Sequence, residues 1–433
     1  MFWNPRIERM PQKEIEEYQE RKLRALIHNV YNHSAFYRRK FKEAGVNPWD
    51  FSGRKDLHKL PFTKKQDLRD NYPFGMFAVP ISQIVRFHAS SGTTGKPTVV
   101  GYTANDIECW AESLCRGLVS CGVSRDDVIQ ISYGYGLFTG GLGFHYAAEK
   151  VGATVLPTSA GNTARQIELM KDLKTTVIAC TPSYMLYLAE YAYKNGVSLK
   201  DETELKLGIF GAEPWSEETR KRIEEKVGID AYDVYGTSEL SGPLFTECTE
   251  KCGVHIWADH FLIEIVDPDT GEQLSEGEKG ELVVTTLSKE ALPLIRWRTG
   301  DVTLMENEKC ACGRTHPRIM RILGRTDDMI IVRGVNVFPS QIEHVLMQIP
   351  EVGEHYMILL DRKDDGLDVM TVQVELSEKA EVDKVSDMLE LERKITEKLK
   401  SVLNVTAKVE VVNPGTLQRF EGKAKRVIDR RKI

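Results

Sequence analysis

Residues 90–97 carry a dense set of groups that could bind a polyphosphate. Two glycines let the backbone turn tightly and present its N–H groups, serine and threonine hydroxyls add donors, and Lys96 adds a point charge. Ser90 stands where a Walker-type loop has its first glycine, and Pro97 follows the lysine, so this loop is not that of a P-loop NTPase. The predicted phosphate-binding residues are Ser90, Ser91, Gly92, Thr93, Thr94, Gly95 and Lys96.

Three further motifs follow predicted strands and could complete a nucleotide site. Residues 211–214, Gly-Ala-Glu-Pro, leave room for a flat ring against the backbone. Residues 233–239 offer an aromatic face, a hydroxyl and the Glu239 carboxylate, which could hold Mg²⁺. Asp301, in Arg-Thr-Gly-Asp, offers a carboxylate suited to two ribose hydroxyls. Each motif alone is more often a β-turn with glycine and a polar neighbour, so the prediction depends on the whole set.

Five metal-ligating side chains flank a predicted β hairpin. Cys248, Cys252 and His255 precede it, and Cys310 and Cys312 follow it. Thiolates and an imidazole on two loops suit tetrahedral Zn²⁺, and a closed structural site is predicted because the nucleotide motifs lie elsewhere. Cys310 and Cys312 are the first choices, Cys248 and His255 complete the predicted set, and Cys252 is the reserve. The competing interpretation is a group of unpaired buried cysteines in a reducing cytosol.

The elements that must position these residues alternate from about residue 84. Short apolar runs at 128–131, 153–156, 177–179 and 207–210 are separated by helical stretches, which predicts βαβ units and a largely parallel sheet. Several of the motifs begin where such strands end, and functional loops of parallel sheets lie there. Upstream, residues 12–44 are predicted to be helical, and Thr63 is predicted to cap the next helix.

The pattern changes after residue 260. Strands at 261–266 and 280–285, separated by turn residues, predict a small antiparallel β subdomain at about 258–325. A helix from Ser340, strands near 355–360, 369–375 and 406–412, and a charged helix near 382–402 predict a compact α+β unit. The predicted fold class is therefore α/β, with an N-terminal domain over 1–326 and a C-terminal domain over 327–433.

Composition narrows the classes of function. The 433 residues are 41% hydrophobic and 28% charged, as in ordinary globular proteins, and the net charge of −6 weighs against a nucleic-acid partner. The basic stretch 419–432 is predicted to be a solvated terminal segment. No apolar run approaches the roughly 20 residues of a membrane span, and the N-terminus lacks a signal-peptide core. We therefore predict a cytoplasmic location and no membrane partner.

In this order, the motifs resemble those of the acyl-adenylate-forming superfamily, which includes acyl-CoA synthetases, adenylation domains and luciferases. The resemblance rests on 90–97, 211–214, 235–239, 298–301, 324–328 and 422–425 and covers most of the chain from about residue 60. Segments 60–64, 133–141, 255–257 and 333–340 resemble the phenylacetate–CoA ligase branch more narrowly. The resemblance implies that a carboxylate attacks the α-phosphate of ATP, giving acyl-AMP and pyrophosphate, and that the thiol of CoA then displaces AMP.

The resemblance also implies roles for single residues. Residues 90–96 would hold the β- and γ-phosphates, Ser238 would contact the α-phosphate, and Glu239 would bind Mg²⁺. Lys423 would bridge carboxylate and phosphate during adenylation, with Lys425 as the alternative. Asp327 would be the hinge of a rotating C-terminal domain, and Gly334 would line the pantetheine tunnel. The other predicted nucleotide-binding residues are Gly211, Ala212, Glu213, Pro214, Asp233, Tyr235, Gly236, Thr237, Asp301 and Arg325.

The acid pocket is predicted on and beyond a glycine-rich loop. Tyr133, Phe144 and His145 belong to an aromatic cluster there, and aromatic walls with glycine gaps suit a planar aryl group. Ordinary core packing is an alternative of equal weight. An arylacetate, phenylacetate first, is the predicted substrate, and the pocket residues chosen are Tyr135, Phe138 and Gly140.

Two other functions stay open. One is an adenylating enzyme that loads a carrier-protein phosphopantetheine, since that thiol and the thiol of CoA share the same arm. The other is a nucleotide-binding relative without catalysis. The predicted partners are a small carboxylic acid, ATP and CoA, and the resemblance implies a homodimer.

Overall fold

The computed structural model describes residues 1–90, 97–326, 328–333, 335–362, 368–378, 380 and 385–431. The predictions for Ser91–Lys96, Asp327 and Gly334 lie outside these residues. Within them the chain forms two compact units. The first comprises Met1–Ser159, Thr175–Ala179 and Tyr232–Arg321, and the second comprises Ala160–Lys174, Cys180–Ala231 and the described part of Ile322–Ile433. The predicted domain boundary at 326/327 stays a prediction. Among the described helices, none has the length and apolar character needed to cross a membrane.

The α-helices are α1 Pro5–Glu8, α2 Gln12–His33, α3 Ala35–Glu43, α4 Lys65–Asp70, α5 Ala104–Ser120, α6 Gly140–Val151, α7 Thr163–Asp172, α8 Pro182–Lys194, α9 Leu199–Glu202, α10 Glu217–Val227, α11 Pro339–Met347 and α12 Val385–Leu403. The strands are β1 Arg86–Ser90, β2 Thr98–Tyr102, β3 Val128–Ile131, β4 Thr154–Leu156, β5 Val177–Cys180, β6 Leu207–Gly211, β7 Asp230–Tyr235, β8 Phe245–Thr246, β9 Val254–His255, β10 Phe261–Val266, β11 Gly280–Thr286, β12 Trp297–Thr303, β13 Met305–Glu306, β14 Arg318–Ile319, β15 Gly324–Arg325, β16 Ile330–Val332, β17 Val335–Val337, β18 Val352–Arg362, β19 Asp368–Leu376, β20 Lys408–Val412 and β21 Val427–Asp429.

The N-terminal helical stretch is divided in two. Ser34 has extended backbone angles, φ −110° and ψ 115°, and so separates α2 from α3. Thr63 does not cap α4, so this prediction is wrong by one residue: Lys64 is the N-cap and the helix begins at Lys65. The Thr63 hydroxyl instead donates to the Ile295 carbonyl at 2.6 Å, a distant partner that local sequence does not reveal.

The strands of the first unit are partly parallel and partly antiparallel. β3 pairs in parallel with β4 and with β5, as the βαβ pattern predicts. The series β7, β8, β9, β14 and β13 is antiparallel throughout. Helix α5 begins with a reciprocal capping box between Thr103 and Asp106, which satisfies free N–H groups at its start. The predicted α/β class with parallel βαβ strands is confirmed, and the antiparallel series is an addition that the sequence analysis did not predict.

The predicted β subdomain contains the expected antiparallel strands. β10 pairs with β11 from Phe261 opposite Thr286 to Val266 opposite Glu281, and β11 pairs with β12. A buried ion pair involves Arg296, the residue immediately before β12. Its guanidinium donates to both carboxylate oxygens of Glu264 at 3.0 and 3.1 Å. Two parallel hydrogen bonds fix the orientation of this arginine.

The second unit contains a sheet in the order β20-β19-β18-β21, packed against α11 and α12. β18 and β19 are antiparallel, and β20 and β21 are parallel additions at either side. The basic stretch 419–432 was predicted to be solvated, which holds for Lys423 and Lys425 but not for all of its described part. Arg419 is paired with Glu375 and Glu190 at 2.9 Å, and Val427–Asp429 adds a strand to the sheet.

Candidate functional site

The predicted catalytic residues Ser238 and Glu239 lie on a tight turn after β7. A 3₁₀ helix spans Ser238–Leu240, and both predicted residues are buried. The Thr98 hydroxyl donates to Glu239 Oε1 at 3.4 Å, and the Thr139 hydroxyl lies 3.4 Å from Ser238 Oγ. Ser90 is hydrogen-bonded through its hydroxyl to Thr98. The structure therefore connects the described start of the predicted phosphate loop to the predicted magnesium ligand through one threonine.

Two residues that the sequence analysis did not identify, Lys289 and Tyr102, support this turn through hydrogen bonds. The Lys289 ammonium donates to the Glu239 carbonyl at 2.8 Å and to Ser241 Oγ at 3.1 Å. It also lies 4.6 Å from the centroid of the Tyr102 ring, and the Tyr102 hydroxyl donates to the Ser238 carbonyl at 3.1 Å. Burial lowers the pKa of Lys289 to about 8, against the opposing influence of nearby carboxylates. No local motif marks either residue, because their partners lie far away along the chain.

The predicted adenine and ribose residues of the first unit also meet. The Tyr235 hydroxyl donates to Asp301 Oδ2 at 2.6 Å, and the Tyr235 ring stacks on Phe245 with centroids 6.2 Å apart. Gly236 has no room for a side chain, since a Cβ there would lie 2.6 Å from the Gly242 Cα. Asp233 belongs to β7, and its N–H donates to a Glu247 carboxylate oxygen at 2.7 Å. The Thr237 hydroxyl is buried without a hydrogen-bond partner in the described residues, so a ligand oxygen could satisfy it.

The second unit holds the other predicted nucleotide motif. Gly211 ends β6, and Ala212 has φ 71°, a left-handed conformation that is rare for alanine. Glu213 follows, and its carboxylate accepts the Ser183 N–H at 2.8 Å and the Ala424 N–H at 3.0 Å. Pro214 is exposed after it. The motif thus brings the segment around residue 424 to the end of β6.

The remaining predicted residues of the second unit are more exposed. Arg325 lies in β15 with its guanidinium 3.7 Å from the Asp328 carboxylate. Lys423 and Lys425 are both exposed, so exposure does not choose between them. The residues on either side of Lys423 are held by hydrogen bonds: Thr181 Oγ1 donates to the Gly422 carbonyl at 3.4 Å, and Glu213 accepts from Ala424.

The aromatic cluster of the predicted acid pocket divides into two parts. Tyr133 and Phe144 are buried and stacked, with centroids 5.4 Å apart and nearly parallel rings, which is core packing. Tyr135 is half-buried, its hydroxyl lies 3.3 Å from His145 Nδ1, and Phe138 is 44% exposed. A Cβ on Gly140 would collide with the Phe138 ring, so this glycine makes room for the aromatic side chain. Only the second part remains available to a ligand.

The predicted metal ligands converge in the first unit. One ligand atom from each of Cys248, His255, Cys310 and Cys312 lies within 4.8 Å of all the others. The Cys248 and Cys310 sulfurs are 3.7 Å apart, and Cys312 Sγ is 3.6 Å from His255 Nε2. Tetrahedral zinc with Zn–S bonds of about 2.3 Å would place two sulfurs about 3.8 Å apart, which fits this set. The reserve residue Cys252 is also close, 3.6 Å from Cys310 Sγ.

Protonation differs among the predicted ligands: the hydrogen bond with Cys312 and burial raise the pKa of Cys248, and burial raises the pKa of Cys310 to about 11. Hydrogen bonds from Cys248 and then from His255 lower the pKa of Cys312, and burial lowers the pKa of His255. Thiolate and neutral imidazole are the forms that bind metal.

Arg318 donates to Cys252 Sγ at 2.8 Å and Arg314 donates to Cys312 Sγ at 3.5 Å, so a protein donor does not distinguish these two thiols. The group whose ligand atoms all lie within 4.8 Å of one another does not include Cys252. The geometry therefore favours the predicted set of four over one that includes Cys252.

Comparison with known proteins agrees with this organisation. Residues 69–288 match the model of the AMP-binding enzyme family, and residues 334–431 match that of the AMP-binding enzyme C-terminal domain. A phenylacetate-coenzyme A ligase of Thermus thermophilus is 50% identical, with all of both chains covered. The Escherichia coli phenylacetate-coenzyme A ligase is 48% identical over 97% of this chain and 96% of its own.

A solved structure of similar fold is a 2-hydroxyisobutyryl-CoA ligase in the postadenylation state, in complex with an acyl-AMP. It is 31% identical, covers 100% of this chain and 93% of its own, and has a TM-score of 0.93. The same ligase in the thioesterification state, with CoA, has a TM-score of 0.73 at 32% identity and the same coverage.

Fold and site together define an adenylate-forming, AMP-binding enzyme. Within that class, the chain belongs to the phenylacetate–CoA ligase family. The predicted family is thereby confirmed, and so is the predicted class of AMP-forming acid–thiol ligase. The roles assigned to single residues stay predictions.

Proposed function

We propose that this chain activates phenylacetate to phenylacetyl-AMP, releasing pyrophosphate, and then forms phenylacetyl-CoA, releasing AMP. The observation that carries the proposal is the buried turn of Ser238 and Glu239. Glu239 accepts from Thr98, which is itself hydrogen-bonded to Ser90, and Ser238 Oγ lies beside the Thr139 hydroxyl. The relatives that are named phenylacetate-coenzyme A ligases support the choice of acid.

The residues suit the first step because its transition state concentrates negative charge on phosphate, where donors and cations stabilise it. We propose that Ser238 Oγ donates to the α-phosphate and that Asp301, oriented by Tyr235, accepts from the ribose hydroxyls. Lys423 would reach both the attacking carboxylate and the phosphate. Its neighbours on both sides are hydrogen-bonded, which restricts the backbone that carries it.

Glu239 is the proposed ligand of Mg²⁺. Its carboxylate is buried and accepts only a long hydrogen bond, 3.4 Å from Thr98 Oγ1, among the contacts of the described residues. A buried carboxylate without a close donor fits a hard cation, which prefers oxygen ligands. When bound, magnesium would supply charge that offsets the phosphate oxygens.

A panel of acids tests the proposal. AMP release from ATP is measured with and without CoA for phenylacetate, benzoate and medium-chain fatty acids. We expect phenylacetate to be fastest and thioester to form only with CoA. Faster turnover of the fatty acids would contradict the choice of substrate. Lys423→Ala should slow adenylation by about 100- to 1,000-fold. Lys425→Ala, which removes an equally exposed lysine two residues away, is the matched control.

The same assay separates the two alternatives. An enzyme that loads a carrier protein would release AMP poorly with free CoA and well with a phosphopantetheinylated carrier. A non-catalytic relative would bind ATP without releasing pyrophosphate from any acid.

We also propose that Cys248, His255, Cys310 and Cys312 hold a structural zinc ion. The support is the fit of their separations to tetrahedral geometry, and the ion would tie together two loops of the first unit. Elemental analysis of untagged protein should find about one zinc per chain, and Cys310→Ser should lose it. Cys252→Ser should keep it, because that thiol is the reserve. Zinc well below one per chain in the wild type would contradict the proposal.

The predicted homodimer and cytoplasmic location remain part of the proposal. Light scattering of the purified chain at several concentrations tests the first, and cell fractionation tests the second. ATP, CoA and reduced thiols are all expected in cytosol, which is the reason for retaining the location.

A further inference from the structure

The segment that carries Lys423 is held in the second unit by side chains on either side of it. Arg419 forms ion pairs with Glu190 and Glu375, both at 2.9 Å. The Thr163 hydroxyl donates to Glu421 Oε1 at 3.1 Å. These contacts fix the segment before it reaches Lys423, and the contacts at residues 422 and 424 fix it around the lysine.

Glu213 makes the contact nearest to Lys423 on its C-terminal side. One of its carboxylate oxygens accepts the Ser183 N–H, at the start of α8, and the other accepts the Ala424 N–H. Both bonds are charge-assisted, so they are stronger than bonds between neutral groups. Burial raises the pKa of Glu213, while Arg426 and the two N–H donors lower it. The carboxylate thus links the loop after β6 to the peptide unit that follows the lysine.

The backbone before Glu213 is also held in an unusual conformation. Ala212 has φ 71°, which a residue with a Cβ adopts only when its surroundings impose it. A conformation of this kind persists where the surrounding contacts specify it, and here the two N–H donors to Glu213 supply such contacts. A residue whose only role was to border a flat ring would not need both of its oxygens directed at backbone donors.

We propose that Glu213 is a positioning residue that places Lys423 for adenylation by holding the Ala424 N–H. This inference rests on the proposed function of Lys423 and deepens it. Glu213 does not touch the reacting atoms, and it acts on the half-reaction that uses Lys423. Thioester formation from acyl-AMP and CoA does not use that contact.

The test separates the two half-reactions in the full-length enzyme. Glu213→Gln keeps the shape but replaces one acceptor oxygen with an NH₂ group that faces an N–H donor. Adenylation, measured as pyrophosphate release, should slow by about 10- to 100-fold. Thioester formation from supplied phenylacetyl-AMP and CoA should slow much less than adenylation does. A denaturation midpoint close to that of the wild type shows that the variant is folded. Glu225→Gln on α10 is the matched exposed control.

A double variant distinguishes positioning of Lys423 from other roles. If Glu213 acts through Lys423, adding Glu213→Gln to Lys423→Ala should slow adenylation no further. Glu213→Asp, which keeps the charge but cannot reach both donors, should show the same selective loss. The inference would be wrong if the two substitutions together slowed adenylation by the product of their separate effects, or if Glu213→Gln slowed both half-reactions equally. Neither result would contradict the proposed function. A wild type that releases no pyrophosphate with any acid would overturn the proposed function and the inference with it.

Discussion

Lys289 offers the sharpest test of how the Ser238–Glu239 turn is supported. Its ammonium is buried, donates to the Glu239 carbonyl and Ser241 Oγ, and lies over the Tyr102 ring. Replacing it with methionine keeps the length of the side chain and removes the charge. The loss leaves a carbonyl and a hydroxyl without their donor, about 1–3 kcal/mol, but it also removes the cost of burying a charge. The two effects oppose each other at neutral pH, so the informative quantity is the dependence on pH.

The direction of that dependence follows from proton uptake. The pKa of Lys289 is about 8 in the folded chain and 10.5 in a solvated lysine. Between these values the unfolded chain keeps a proton that the folded chain has lost, so unfolding binds a proton and stability rises with pH. Relative to Lys289→Met, the wild type should gain about 1.3 kcal/mol between pH 7 and pH 9, and about 2.5 kcal/mol between pH 7 and pH 10.

Chemical denaturation of both proteins, followed by fluorescence and circular dichroism, measures this difference. Comparing the two proteins at each pH cancels the titration of the groups that they share. The exposed Lys221 of α10 provides the control, because Lys221→Met should show no such trend against the wild type. A wild-type advantage that changes by less than about 0.5 kcal/mol between pH 7 and pH 10 would refute the account of Lys289 as a buried ammonium.

Two further predictions concern single contacts of the first unit. Tyr235→Phe keeps the ring but removes the 2.6 Å hydrogen bond to Asp301, so the KM for ATP should rise about tenfold with kcat little changed. An unchanged KM in steady-state AMP release would contradict the ribose-side role. Glu8→Gln leaves the Arg314 guanidinium, which is 1% exposed, without its carboxylate partner at 2.7 Å, and should lower the free energy of unfolding by about 3–5 kcal/mol. A loss below about 1 kcal/mol in denaturation would show that this pair is solvated.

Elements with strong local signals could be predicted from the sequence. β10 runs from Phe261 to Val266 as expected, because its apolar run and the following turn residues specify it locally. The convergence of the cysteines and His255 could also be predicted, since the spacing of metal-ligating residues restricts the chemistry before any folding is known. What spacing could not decide was the fourth ligand. That depends on the separations in the folded chain, where the group of ligand atoms within 4.8 Å of one another includes Cys248 and His255 but not Cys252.

Contacts between distant parts of the chain could not be predicted. From the sequence, Lys289 would be predicted to be a surface lysine in a polar loop. Only the folded structure shows that it donates to the carbonyl of Glu239, about 50 residues earlier in the chain. Thr63 has the residue type and position that predict a helix N-cap. Its hydroxyl instead donates to the Ile295 carbonyl, 232 residues away in the chain. In both cases a hydrogen bond to a buried backbone group outweighs the local preference, because an unsatisfied buried carbonyl is costly.

The C-terminal segment shows why a charge run alone is a poor guide to function. The basic composition of residues 419–432 predicts a solvated segment. A run of charged residues, however, does not determine whether their side chains are buried. Arg419 is held by two carboxylates and Val427–Asp429 joins β18, so the segment is anchored on both sides of Lys423. If Lys423 meets a phosphate, an acidic partner of its own would compete with that phosphate for the ammonium. Anchoring its neighbours instead leaves the ammonium exposed and restricts where it can reach, which is the arrangement that the role proposed for Lys423 requires.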